Sequence, residues 1–180
     1  MDTGRVYPED VTAAANAAGL KQFGIKEIVK SFFRPYLYLD RDKISAAGLD
    51  QVKVENSLAL ALTELDGISE AVPKSALGVK HGSATVEMVR RNHNAARSGD
   101  IYVAQSPYWF LFSKGPVAAM HGSPYRYDAH VPIIFVGPGI RAQKVSRLIH
   151  PVDVAPSIAA LLGMSAPGAA QGMALPEVLE

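Results

Sequence analysis

Apolar residues recur at helical spacing through Val52, Val54, Leu58, Ala59, Leu62 and Leu65 until Gly67 interrupts them, which predicts a helix over this stretch. Ahead of it, Tyr36-Leu37-Tyr38-Leu39 follows Pro35 and precedes the charged Asp40-Arg41-Asp42, the profile of a strand that ends in a turn. Nearer the start, Tyr7-Pro8-Glu9-Asp10 opens an Ala-rich segment from Val11 to Ala18. That segment predicts a short helix with Pro8 in its first turn and Gly19 as its stop. A weaker strand around Ile68 to Val72, a helix from about Ala84 to Arg91, and the run Ile101-Tyr102-Val103-Ala104 complete an alternation of strands and helices. Residues 1–105 therefore read as a small α/β lobe.

From Ser106 to Pro132 the pattern breaks into aromatics, Gly and Pro, as in a long loop with turn chemistry throughout; its aromatics argue against disorder. Ile133-Ile134-Phe135-Val136 then forms a continuous apolar run, expected of a strand buried on both faces. Pro151-Val152-Asp153-Val154-Ala155-Pro156 leads into an apolar helix over Ser157 to Leu162, closed by Gly163. Residues 106–180 read as the end of an α/β layer, and no internal repeat is present.

Composition narrows the chemistry. In 180 residues, 48% hydrophobic, there is enough apolar material for a real core, which sets disorder aside. Lys+Arg 18 against Asp+Glu 17 leaves a net charge of +1 without a basic run, a poor match to a nucleic acid backbone. Pro132, Pro138 and Pro156 interrupt the most apolar region, so no stretch approaches the roughly 20 residues of a membrane span. The opening Met1-Asp2-Thr3-Gly4-Arg5 lacks the apolar core of a signal peptide, so no export address is expected from this chain. Without cysteine, a metal would have to be held by His, Asp or Glu.

The densest polar cluster is His121-Gly122-Ser123-Pro124-Tyr125-Arg126-Tyr127-Asp128-Ala129-His130, just before the expected strand. An imidazole held by Gly and Pro turns beside a rigid element suits a metal ligand, although a loop histidine can equally be solvated. His130 reads as structural, with a second ligand or an orienter of Asp128 as its alternative. Tyr125, Arg126, Tyr127 and Asp128 are candidates for a substrate entrance, or Arg126 and Asp128 for a surface pair. His81 and His93 read as surface groups, His150 as a capping or packing residue, and Asp153 as a charge at a helix start. Gly137-Pro138-Gly139 fails as a dinucleotide turn because Pro138 removes an N–H, and no G-x-S-x-G elbow occurs.

Several of these stretches together resemble the C-terminal region of bacterial alkaline phosphatases of the type I phosphodiesterase and nucleotide pyrophosphatase kind, in the alkaline phosphatase superfamily. They are Ser98-Gly99-Asp100, Pro107-Tyr108-Trp109, His121-Gly122-Ser123-Pro124-Tyr125, Tyr127-Asp128, Val131-Pro132 and Gly137-Pro138-Gly139-Ile140. Asp153 to Gly163, Gln171-Gly172-Met173-Ala174-Leu175, Asp2-Thr3-Gly4-Arg5-Val6 and Tyr36 to Asp40 extend the likeness over nearly the whole chain.

The resemblance implies a C-terminal fragment of a three-layer α/β fold, with 1–105 as a small inserted lobe and 106–180 as the closing segment of the metal-binding core. It implies a parent enzyme, periplasmic or secreted, that hydrolyses phosphate esters through a covalent phospho-enzyme with two zinc ions about 4 Å apart. In this family the His of the His-Gly motif binds one zinc, a role that falls on His121. Ala129 stands where Thr is common, which removes a local hydrogen bond. The family's Asp-His pair and nucleophile motif are absent from these 180 residues, so the chain alone is expected to be inactive. Phosphodiesterase, nucleotide pyrophosphatase or sulfatase activity, or a non-catalytic binding module, are the alternatives. Self-association through apolar surface around 133–136 is a further expectation.

Overall fold

The computed structural model describes residues 3–79, 82–117 and 119–179, so the surface role expected of His81 falls outside the described residues. By compactness the chain divides into two units, Met1–His130 and Val131–Glu180. The lobe expected over 1–105 lies inside the first.

The first unit opens with β1 (Arg5–Val6) and α1 (Pro8–Phe23). Pro8 sits in the first turn, where its missing N–H would have had no helical partner. The expectation that Gly19 ends this helix is corrected. Gly19 is buried on the stripe it shares with Val11 and Ala15, and a Cβ there would lie 2.6 Å from Ile28 Cγ2. It permits close packing, and the stop is Gly24, left-handed at φ 71°.

Strands β2 (Val29–Phe33) and β3 (Tyr36–Leu39) form a hairpin around Arg34 and Pro35. The charged residues after β3 begin α2 (Arg41–Ala46) rather than a simple turn, because the Asp40 carboxylate accepts the Lys43 N–H at 3.1 Å. Asp50 caps α3 (Gln51–Leu62) the same way, accepting the Lys53 N–H at 2.8 Å. Next come β4 (Ile68–Pro73), a 3₁₀ turn (Lys74–Gly78), α4 (Ala84–Asn92) capped by Ser83, β5 (Ile101–Gln105), β6 (Phe110–Leu111) and α5 (Arg126–Ala129).

The main sheet has the order β2-β3-β5-β4, each neighbour antiparallel, while β1 and β6 pair in parallel. Strand alternation sorts side chains to two faces. Leu37, Leu39, Ile101 and Val103 pack with Val11 and Ala15 of α1 and with Val54, Leu58 and Leu62 of α3. Tyr36, Tyr102 and Ala104 face the other way and meet Val86 and Val89 of α4. The sheet is therefore covered on both sides. Just before β5 the buried Asp100 accepts the Leu39 N–H at 2.8 Å and the Arg41 Nε–H at 3.1 Å, so its charge is paired.

In the second unit, the strand expected over 133–136 is not formed. Ile133 and Phe135 are half-buried, whereas Ile134 and Val136 are 78% and 89% exposed. The segment is left outside any sheet, because a strand exists only through a hydrogen-bonded neighbour and none pairs with it among the described residues. A 3₁₀ turn (Pro151–Asp153) runs into α6 (Val154–Leu161), three residues earlier than expected, and α7 (Pro176–Leu179) follows. Asp153 holds this junction: its carboxylate accepts the N–H groups of His150 at 2.9 Å and Met173 at 3.0 Å, which keep it below the usual carboxylate range. The buried Ser157 hydroxyl accepts the Leu175 N–H at 2.9 Å. Among the described residues, no helix is long and apolar enough to cross a membrane.

Candidate functional site

The candidate cluster follows β6. The preceding Trp109 lies over glycine backbone: a Cβ at Gly67 would meet its Cε3 at 2.1 Å, and one at Gly4 its Cζ3 at 2.7 Å. The indole also packs against the main core, so this aromatic serves the fold. Phe110 N–H then donates to Gly4 O at 2.9 Å, and Phe112 N–H to Val6 O at 3.1 Å. These contacts fix the start of the loop that leads to His121.

Two guanidinium groups hold that loop. Arg5 lies over the Phe110 ring at 4.6 Å and donates to Val117 O at 3.3 Å. Arg34 lies over the Phe112 ring at 5.4 Å and donates to Leu111 O at 3.4 Å and to His121 O at 3.2 Å. The imidazole of His121 is exposed.

On the far side of His121 the chain folds onto Asp128, whose carboxylate accepts the Ser123 N–H at 2.6 Å. Burial alone would raise this carboxyl, but hydrogen bonds from the Ser123 and Gly122 backbone and the nearby His121 hold it below the usual carboxylate range. Asp128 is thus an ionised acceptor committed to its own loop. The Tyr125 hydroxyl donates to Gln105 O at 2.7 Å and lies 2.8 Å from Ser69 Oγ, anchoring the cluster to β4 and β5. Burial pushes the Tyr125 hydroxyl above its ordinary pKa, which keeps it protonated and a donor.

Tyr127 stacks on both neighbours, with ring centroids 4.8 Å from Tyr108 and 5.7 Å from Tyr125. Its hydroxyl accepts the Tyr108 N–H at 3.0 Å, and Tyr108 is held at a left-handed φ of 65°. Arg126 and His130 are exposed; the His130 N–H donates to Arg126 O at 2.9 Å and closes α5. The structure therefore gathers Tyr125, Tyr127 and Asp128 around the backbone of one loop and leaves His121, Arg126 and His130 facing solvent.

The other histidines are elsewhere. His93 is half-buried rather than on the surface, 6.5 Å from the Tyr36 ring, and burial followed by the Lys74 charge lowers its basicity. Among the described residues, no three His, Asp or Glu side chains converge as a metal centre requires. His121 suits one coordination position as an exposed imidazole on a held loop; the donors in hand do not complete a site. Arg34, Ser69 and Gln105, which support the cluster, carried no signal in the sequence because they lie 20 to 87 residues from their partners.

No family model matches the chain. A calcium-transporting ATPase of Myroides odoratus is 30% identical over 160 residues, covering 88% of this chain and 29% of its own length. Alkaline phosphatase PafA of Elizabethkingia meningoseptica is 26% identical over 190 residues, covering 99% of this chain and 33% of its own length. The crystal structure of wild-type PafA matches all of this chain with a TM-score of 0.85 at 24% identity, using 34% of its own length. The chain belongs to the alkaline phosphatase superfamily. It corresponds to a C-terminal portion of such an enzyme and spans about a third or less of the length of these relatives. Its mixed α/β architecture is that of the PafA fold, as the sequence led us to expect.

Proposed function

We propose that this chain is part of a zinc-dependent phosphoric ester hydrolase and supplies His121 as one ligand of its metal centre, with the nucleophile and remaining ligands contributed by other parts of the enzyme. On this reading 1–105 is an inserted lobe, and 106–180 belongs to the catalytic core. The observation that carries the proposal is the treatment of His121: its carbonyl is held by Arg34 and the next turn by Asp128, yet its imidazole is left exposed. A ligand imidazole needs a ring nitrogen free for the metal, and a held main chain narrows the positions that ring can take. Superfamily membership gives the donor its context.

Zinc in such an enzyme stabilises negative charge on phosphoryl oxygens. The chain's own contribution is to present His121 and to border the approach to it. The exposed Arg126 adds positive charge there for an anionic ester; Tyr108, Tyr125 and Tyr127 form a stacked wall, and Asp128 and His130 shape its turn. The test is hydrolysis of an activated aryl phosphate. In the enzyme that carries this segment, His121→Ala is expected to abolish turnover, and the 180-residue chain supplied with zinc is expected to have none. Undiminished turnover in the variant, or chelator-sensitive turnover by the isolated chain, would overturn the proposal.

A further inference from the structure

Arg34 belongs to none of the motifs that mark this chain, yet it reaches the His121 loop from a distant part of the sequence. It lies between β2 and β3, 77 residues from Leu111 and 87 from His121, and its guanidinium donates to both carbonyls. These carbonyls stand at the two ends of a stretch that carries no helix or strand among its described residues. One rigid group thus ties the exit of β6 to the backbone of His121. We propose that Arg34 is a positioning residue: it fixes the main chain at His121 so that the imidazole meets the metal without first being ordered. This inference rests on the reading of His121 as a ligand.

The chemistry favours arginine at this place. A planar fork with five donors can serve two carbonyls at once and lay its face on an aromatic ring, as Arg34 does on Phe112. Lysine, a point charge on a flexible stem, cannot hold both ends. Arg5 repeats the arrangement one step along: its guanidinium covers Phe110 and takes the carbonyl of Val117. The two rings lie 5.8 Å apart, so the guanidinium groups rest on adjoining supports. Beyond His121, Asp128 fixes the Ser123 N–H. His121 therefore sits between a cationic staple on its carbonyl and an anionic one on the following turn. Supports of this outer kind typically change metal affinity by about 10- to 100-fold when removed.

The experiment uses the enzyme that carries this segment, with Arg34→Ala, Arg34→Lys and His121→Ala compared by zinc competition and by amide hydrogen exchange around His121 in the metal-free protein. Arg34→Ala is expected to weaken zinc binding by about 10- to 100-fold and to speed exchange around His121. Added guanidinium ion should recover part of both losses, and Arg34→Lys should recover little. Zinc affinity and exchange in Arg34→Ala that match wild type, while His121→Ala loses zinc, would overturn the role of Arg34 alone. Retention of zinc affinity by His121→Ala would overturn the ligand reading instead, and exchange would still report whether Arg34 orders the loop.

Discussion

Replacing Gly67 by alanine tests how the lobe supports the start of the His121 loop. Gly67 has φ +85°, and an added Cβ would lie 2.1 Å from Trp109 Cε3, 2.4 Å from Cζ3 and 2.6 Å from Val6 Cγ2. Two penalties follow. Left-handed backbone with a side chain costs about 1–2 kcal/mol, and forcing a methyl into packed surroundings adds about 1–3 kcal/mol, together about 2–5 kcal/mol. Gly24 separates them, because its φ is +71° but a Cβ there meets nothing within 4 Å; Gly24→Ala should show the backbone penalty alone. The assay is urea unfolding followed by Trp109, the single tryptophan. With a slope of about 2 kcal/mol/M, the Gly67→Ala midpoint should fall by roughly 1–2.5 M and that of Gly24→Ala by roughly 0.5–1 M. Native emission should also move to longer wavelength as the indole is pushed toward water. Equal midpoints for the two variants with unshifted emission would refute the account of Trp109 seated on glycine backbone.

Other residues give independent checks. Glu55 is buried in α3, and burial is the main cause pushing its carboxyl above its ordinary pKa. Its folded form holds a proton that the unfolded form has released, so its contribution to stability declines as pH rises through and above the ordinary carboxylate range. Glu55→Gln, which can still accept from Gln51, should therefore flatten that pH dependence and stabilise the protein at neutral pH, as read from urea midpoints at several pH values; an unchanged profile would count against it. Asp100→Ala leaves the buried Leu39 N–H without its acceptor and should cost about 1–3 kcal/mol. Loss of the half-exposed Arg41 partner adds less than about 1 kcal/mol, and a change below 0.5 kcal/mol, roughly the scatter of neutral substitutions, would contradict the assignment. Tyr125→Phe removes the donor to Gln105 O and should cost about 0.5–1.5 kcal/mol, with faster amide exchange in α5; exchange like wild type would mean the hydroxyl does not anchor the cluster.

The elements that could be read from the sequence are those whose own side chains carry the period. In α3, Val54, Leu58 and Leu62 point to one core, and in β5 the alternation of Ile101 and Val103 with Tyr102 and Ala104 matches two covered faces. β2 escaped notice because it is an edge strand with Lys30, Ser31 and Phe33 exposed, which leaves no apolar alternation to follow. Gly19 looked like a terminator because glycine's role depends on what approaches it, here Ile28. The apolar run at 133–136 has the composition of a buried strand, but pairing is a property of neighbours and not of the run itself. At the candidate site, resemblance singled out His121, whereas its supports are distant: Arg34 acts across 87 residues and Ser69 across 56.

The central claim is that His121 is one ligand of a metal centre completed outside this chain, and zinc stoichiometry tests it most directly. Elemental analysis of the purified enzyme that carries this segment, wild type beside His121→Ala, should show lower zinc per molecule in the variant, while the 180-residue chain alone retains none through dialysis. An undiminished zinc count in His121→Ala, or stoichiometric zinc held by the chain alone, would contradict the account.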